Sequence, residues 1–146
     1  MQSVKHILRS KKDQAVCSIA PTAMVIDAIR LLAEKGIGAL LVIEGERIVG
    51  IVTERDLARK VDLAGRSSRD TAVRDIMTSS VMYVSPDQTN EDCMALMTEN
   101  RLRHLPVMEN GKLIGLISIG DLVKDIISEQ QFIIHQLEHY IMGARA

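Results

Sequence analysis

Gly50-Ile51-Val52-Thr53-Glu54-Arg55-Asp56 and Gly115-Leu116-Ile117-Ser118-Ile119-Gly120-Asp121 are two copies of one pattern. Each runs from a glycine through an apolar strand end to a hydroxyl, with a carboxylate three residues further on. The copies stand 65 positions apart, and at that offset Val16–Val61 aligns with Val81–Ile126 without a gap. Identities fall at Val16/Val81, Pro21/Pro86, Asp27/Asp92, Leu31/Leu96, Glu34/Glu99, Leu40/Leu105, Val42/Val107, Glu44/Glu109 and Leu57/Leu122, besides the motif itself. Such self-similarity at a fixed offset marks a duplicated supersecondary unit. The match extends back to Val4-Lys5-His6-Ile7-Leu8 against Val73-Arg74-Asp75-Ile76-Met77, with four extra residues in the first copy. Ala64–Ala72, holding Gly65-Arg66-Ser67-Ser68-Arg69-Asp70, reads as an exposed connection.

Each copy reads as β-α-β-β-α. Val16–Ile19 and Val81–Val84 are expected as short strands, each followed by a proline. Helices follow over about Met24–Lys35 and Thr89–Asn100; in the first, Val25, Ala28, Ile29 and Leu32 share an apolar face. Thr89-Asn90-Glu91-Asp92 has the form of a capping box, whereas the first helix has Met24 at its capping position. Gly36 ends the first helix. Leu40–Ile43 with Ile48–Val52, and Leu105–Met108 with Leu113–Ile117, are expected as hairpins, the second closed by Asn110-Gly111. A last helix starts near Thr53 or Ser118, and in the second copy it continues, with breaks, to about Met142. The fold class is α+β. The 146 residues make one module: a first repeat over 4–63, a second over 73–128, and a helical extension over 129–146.

Composition narrows the function. A net charge of −1 supplies no cation field to hold nucleic acid or an anionic membrane. Tyr83, Phe132 and Tyr140 are too few aromatics for a base-stacking platform. No apolar run can span a bilayer, and Cys17 and Cys93 lack a partner motif; both are expected as buried thiols in a cytoplasmic protein. No nucleophile–base pair, metal set or Walker-type phosphate loop is present, so binding is expected and catalysis is not.

The duplicated junction has two readings. A Thr or Ser N-cap with an acid three residues on is an ordinary helix start. The same place also suits a ligand, because free N–H groups at a helix N-terminus favour phosphate and a carboxylate accepts both hydroxyls of a ribose. A glycine just upstream allows close approach to the backbone.

With the Leu105-Pro106-Val107 strand and the Val84-Ser85-Pro86-Asp87 run, these segments resemble the CBS domain family, named after cystathionine β-synthase, over nearly the whole chain to about Ser128. The resemblance implies two units packed about a pseudo-twofold axis, with clefts for AMP, ADP, ATP, NAD or S-adenosylmethionine. It places phosphate on Thr53 and Ser118, and ribose on Asp56 and Asp121. Family members often carry basic residues before the Leu-Pro-Val strand, here Arg103 and His104, where the first copy has Gly38 and Ala39. These two are either solvated or phosphate contacts. On the family's cross-copy pattern they join Thr53 and Asp56, leaving the Ser118/Asp121 cleft the weaker one. Arg55, with Arg59 and Lys60 on a basic helical face, is a further phosphate candidate. The resemblance also implies a regulatory protein acting through a homodimer or a protein effector. The rivals are a dimerisation module with vestigial clefts and a nucleotide-processing enzyme.

Two features fall outside the repeats. His135-Gln136-Leu137-Glu138-His139 matches a zinc-peptidase pattern, but only seven residues follow for a third ligand, so no metal is expected. Ile126, Ile133, Leu137 and Ile141 line one face of the tail, with Ile127, Ile134 and Tyr140 alongside, and no repeat partner covers them.

Overall fold

The structure is a computed structural model that describes residues 2–11 and 16–145, so Ala146 of the expected tail lies outside the described residues. The chain forms two compact units, Ala15–Met82 and Met1–Gln14 with Tyr83–Ala146. Their boundaries differ from those of the repeats. The lead-in segment that opens each repeat belongs to the unit built on the rest of the other repeat.

In the Ala15–Met82 unit, β1 (Ser18–Ile19) pairs in parallel with β2 (Ala39–Glu44), which pairs antiparallel with β3 (Arg47–Thr53). α2 (Val25–Lys35) buries Val25, Ala28 and Leu32 against this sheet. Gly36, at φ 63°, stops the helix in the left-handed conformation expected of it. Val73 and Ile76, from the 3₁₀ turn Val73–Asp75 and the residue after it, complete the core with Leu40, Val42 and Val52. The turn is tied down by Val73 N–H to Ala23 O at 2.8 Å and Arg74 N–H to Pro21 O at 3.0 Å.

The other unit repeats this construction. α1 (Val4–Ser10) docks through Val4 N–H to Gln88 O at 2.8 Å and Lys5 N–H to Pro86 O at 3.0 Å. Val4 and Ile7 enter a core with Val84, Cys93, Met97, Leu105, Val107, Ile117 and Leu122. Here the lead-in is a regular helix capped by Ser3, where its counterpart is a single 3₁₀ turn. α4 (Asn90–Asn100) starts at Thr89 with the expected capping box to Asp92, while Met24 makes no side-chain capping bond for α2. β4 (His104–Glu109) and β5 (Lys112–Ser118) form the hairpin, with Asn110 at φ 53° and Gly111 at φ 76° in its turn.

Two expectations are corrected. The strand over Val81–Val84 shrinks to a single parallel bridge between Val84 and Val107. In the first repeat Leu41 N–H donates to Cys17 O at 3.2 Å; Pro106 occupies the place of Leu41 and has no N–H to give. The final helix of the second repeat, α5 (Ile119–Arg145), is unbroken. It contains no proline, and its two glycines, Gly120 and Gly143, sit near its ends. In the first repeat the corresponding segment is only α3 (Glu54–Asp56), running into a π-helical turn over Leu57–Asp62.

Buried Asn90 anchors the root of α5, its Nδ2 donating to Leu122 O at 3.0 Å and to Asp125 Oδ2 at 2.9 Å. Beyond Ser128 the apolar side chains Phe132, Ile133, Ile134, Leu137, Tyr140, Ile141 and Met142 are exposed.

Candidate functional site

Each motif sits where β3 or β5 hands over to a helix, and each closes into a reciprocal cap. Thr53 Oγ1 accepts from Asp56 N at 3.3 Å, and Asp56 Oδ2 accepts from Thr53 N at 3.0 Å. Ser118 Oγ accepts from Asp121 N at 3.2 Å, and Asp121 Oδ2 accepts from Ser118 N at 2.9 Å. The capping reading of both motifs is therefore realised. Two of the first-turn N–H donors at each helix start are satisfied this way.

The glycines have a structural task at each junction. A Cβ on Gly50 would stand 2.6 Å from Met77 Sδ and 3.0 Å from Thr78 O. One on Gly115 would stand 2.6 Å from Leu8 Cδ2. Met77 and Leu8 are matching residues of the two lead-in segments. The close approach that glycine permits is thus used by the protein's own chain.

The carboxylates are not equivalent. Asp56 is almost fully buried and uses both oxygens. Oδ1 takes Thr78 Oγ1 at 3.2 Å and Lys60 Nζ at 3.1 Å, and Oδ2 also takes Thr53 Oγ1 at 3.2 Å. Lys60 in turn donates to Ile76 O at 3.1 Å, tying the π-helical turn to the lead-in segment. Asp121 is more open, at 18% side-chain exposure against 8% for Asp56. Its partner is Lys11, whose Nζ lies 2.9 Å from Oδ2 and donates to Leu116 O at 2.7 Å. Lys11 and Thr78 come from the two lead-in segments, which the motif pattern did not flag. Lys60 was singled out only as part of a basic face, although it stands four residues after Asp56.

Arg103 and His104 belong to the same unit as Ser118 and Asp121. His104 is the register partner of Ser118 on the β4–β5 ladder, and Arg103 O accepts from Ile119 N at 2.9 Å. Arg103 is exposed, His104 half-buried and Pro106 buried. Arg55 is exposed on α3. Beside the first junction an open groove of about 690 Å³ runs between the end of α2 and the start of α3, lined by Leu32, Gly36, Ile37, Gly38, Glu54 and Leu57 among others. A groove of this size can seat a nucleotide-sized ligand.

The thiols also differ. Cys93 is buried, and burial, with the charge of neighbouring Asp92, pushes its pKa up to about 11. Cys17 is half-buried, against the expectation that both thiols are enclosed. His135 and His139 are exposed on α5, and among the described residues no three His, Cys, Asp or Glu side chains are grouped as a metal site would need. Among the described residues no helix is long and apolar enough to cross a membrane.

Comparison with known proteins agrees with this architecture. A solved CBS-domain protein of Burkholderia ambifaria MC40-6, described as a signal-transduction protein, superimposes with a TM-score of 0.86 at 58% identity, covering 88% of this chain and 96% of that one. A hexameric CBS-CP12 protein from bloom-forming cyanobacteria gives a TM-score of 0.74 at 30% identity, over 84% of this chain and 66% of that one. The mitochondrial CBS domain-containing protein CBSX3 of Arabidopsis thaliana is 40% identical over 124 residues, which is 82% of this chain and 60% of the relative's own length. The CBS domain profile matches residues 4–63 and again 73–128, and on these grounds the chain belongs to the CBS domain family, whose members are generally regulatory and ligand-binding, and carries two copies of its repeat.

Proposed function

We propose that the protein is a regulatory sensor that binds an adenosine-containing ligand, AMP, ADP, ATP or NAD, at its strand-to-helix junctions and does no chemistry on it. The observation that carries this reading is the duplicated junction itself: in each repeat a hydroxyl and a carboxylate meet at a helix start, with a lysine against the carboxylate. At the second junction Ser118 and the α5 N-terminus serve phosphate, with Arg103 just before β4 and His104 at its start, close in sequence to Pro106. Asp121 Oδ1 serves the ribose hydroxyls. At the first junction Thr53, Asp56 and Arg55 take the same roles, and the groove over Ile37 and Leu57 takes the base.

The different pairing of the two carboxylates supports unequal occupancy. To receive ribose, Asp56 must release Thr78 or Lys60, and a carboxylate this enclosed, with both oxygens already engaged, gives up a hydrogen bond at a cost. The first junction therefore supports the rival, structural reading better than the second does. Binding is assigned mainly to Ser118 and Asp121, reversing the order expected from the family's cross-copy pattern.

Output passes through self-association or a protein effector. Self-association is supported by the apolar tail and by the hexameric relative, and a homodimer is the expected state. The free thiols are consistent with a reducing, cytoplasmic setting. The direct test is mass spectrometry of small molecules released from the purified protein, compared with Asp121→Asn and Asp56→Asn. An adenosine compound that is lost from Asp121→Asn and retained by Asp56→Asn supports the assignment. Loss from Asp56→Asn alone would reverse it.

A further inference from the structure

The side chain of Lys11 is placed where the Asp121 junction must change if a ligand enters. Its ammonium has three donors; one holds Leu116 O at 2.7 Å and another Asp121 Oδ2 at 2.9 Å, with the side chain only 24% exposed. The first repeat is built differently. There the hydroxyl of Thr78 reaches Asp56 from the lead-in segment, and the cation is Lys60 from the following helical turn. Lys11 is thus particular to the second junction, and it stands beside the start of α5, where anions are favoured.

We propose that Lys11 sets the specificity of this junction for a 5′-phosphorylated nucleoside over the bare nucleoside. The inference rests on the nucleotide reading of the Ser118/Asp121 junction and deepens it. When a ribose diol takes Asp121, the carboxylate is shared and Lys11 loses part of its counter-charge. A nucleoside offers nothing in return, so a half-buried ammonium is left undercompensated. A 5′-phosphate at the α5 N-terminus supplies a new anion within the reach of a four-carbon side chain, and the ammonium moves from carboxylate to phosphate. The lysine therefore opposes nucleoside binding and assists nucleotide binding.

The test is an NMR titration of the full chain with AMP and with adenosine, read at the backbone amides of Ser118 and Asp121 so that only this junction is scored. The wild type is expected to bind AMP about tenfold or more tightly than adenosine. Lys11→Met should weaken AMP by about tenfold while leaving adenosine unchanged or slightly tighter, so that the preference collapses. Lys11→Arg should retain it, and Lys11→Gln serves as a second neutral variant if Lys11→Met folds poorly. A lysine that merely braces α1 would lower both affinities together; that result, or an unchanged AMP-to-adenosine ratio in the neutral variants, overturns the inference and leaves the nucleotide reading standing. Absence of binding by the wild type to either ligand at millimolar concentration overturns the inference, and the nucleotide reading falls with it if ADP, ATP and NAD also leave these amides unmoved.

Discussion

The side chain of Leu8 lies over the bare backbone of Gly115, so close that a Cβ there would meet Leu8 Cδ2 at 2.6 Å. Met77 stands in the same relation to Gly50, but there the backbone carbonyl of Thr78 is a second obstacle at 3.0 Å. Leu8 is half-buried and its methyl groups can swing aside, whereas a carbonyl held by Thr78 N–H to Ile51 O and Ile51 N–H to Thr78 O cannot. Gly50→Ala is therefore expected to cost about 1–3 kcal/mol, as overpacking does, and Gly115→Ala less. Urea unfolding of the two variants checks the order. Equal losses would mean that the lead-in segment after Val73 yields as easily as α1.

The two helices that open the repeats differ in one capping atom. Thr89 caps α4 reciprocally with Asp92, while Met24 caps α2 with no side-chain bond although Asp27 stands at the equivalent place. Met24→Thr should complete that box and stabilise the protein by about 0.5–2 kcal/mol, less whatever apolar contact Met24 gives up. Thr89→Ala should lose a similar amount. A thermal melt of both variants decides it; a Met24→Thr protein no more stable than the wild type would contradict the account.

The duplication made most of this fold legible. The gapless match of Val16–Val61 with Val81–Ile126 places both helices, both hairpins and both junctions within a few residues. Fine detail escaped where one atom decides it, as with the missing N–H of Pro106 that reduces an expected strand to one bridge. The site was legible only as motif residues. Thr53, Asp56, Ser118 and Asp121 announce themselves by spacing, but Lys11 and Thr78 reach the carboxylates from segments far away in sequence, and no local pattern marks that return. The same exchange of lead-in segments explains why repeats and compact units have different boundaries.

Burial of Cys93 has a consequence for pH. With its folded pKa at about 11 against an ordinary value of 9.0, the thiol is neutral when folded and ionises more readily when unfolded. Between those values the unfolded state binds fewer protons, so stability falls as pH rises. This contribution is fully present below about pH 9 and lost as pH climbs through 11. Denaturant melts from pH 7 to 11 should show the decline, and Cys93→Ala should flatten it. In native protein near pH 8 the half-buried Cys17 should alkylate well before Cys93. Equal labelling rates would contradict the enclosure of Cys93.

The distal part of α5 carries an apolar stripe of Ile133, Leu137 and Ile141, with Ile134 and Tyr140 alongside, and the described residues leave these side chains exposed. A patch of this kind on a lone helix marks an interaction surface. Light scattering should find the full chain self-associated at tens of micromolar, and a chain truncated after Ser128 should associate less or lose solubility. Leu137→Glu should weaken association without unfolding either unit, since Leu137 belongs to neither core. A monomeric full-length protein would refute self-association through the tail.

The central claim is that an adenosine-containing ligand binds the folded chain, and a thermal melt with a nucleotide panel tests it most directly. At a hundred times its dissociation constant, AMP, ADP, ATP or NAD should add about 2.7 kcal/mol and raise the midpoint by roughly 5–10 °C, while GTP and CTP do less. A midpoint unmoved by AMP, ADP, ATP, NAD and S-adenosylmethionine at millimolar concentration would contradict the account and leave the junctions as helix caps alone.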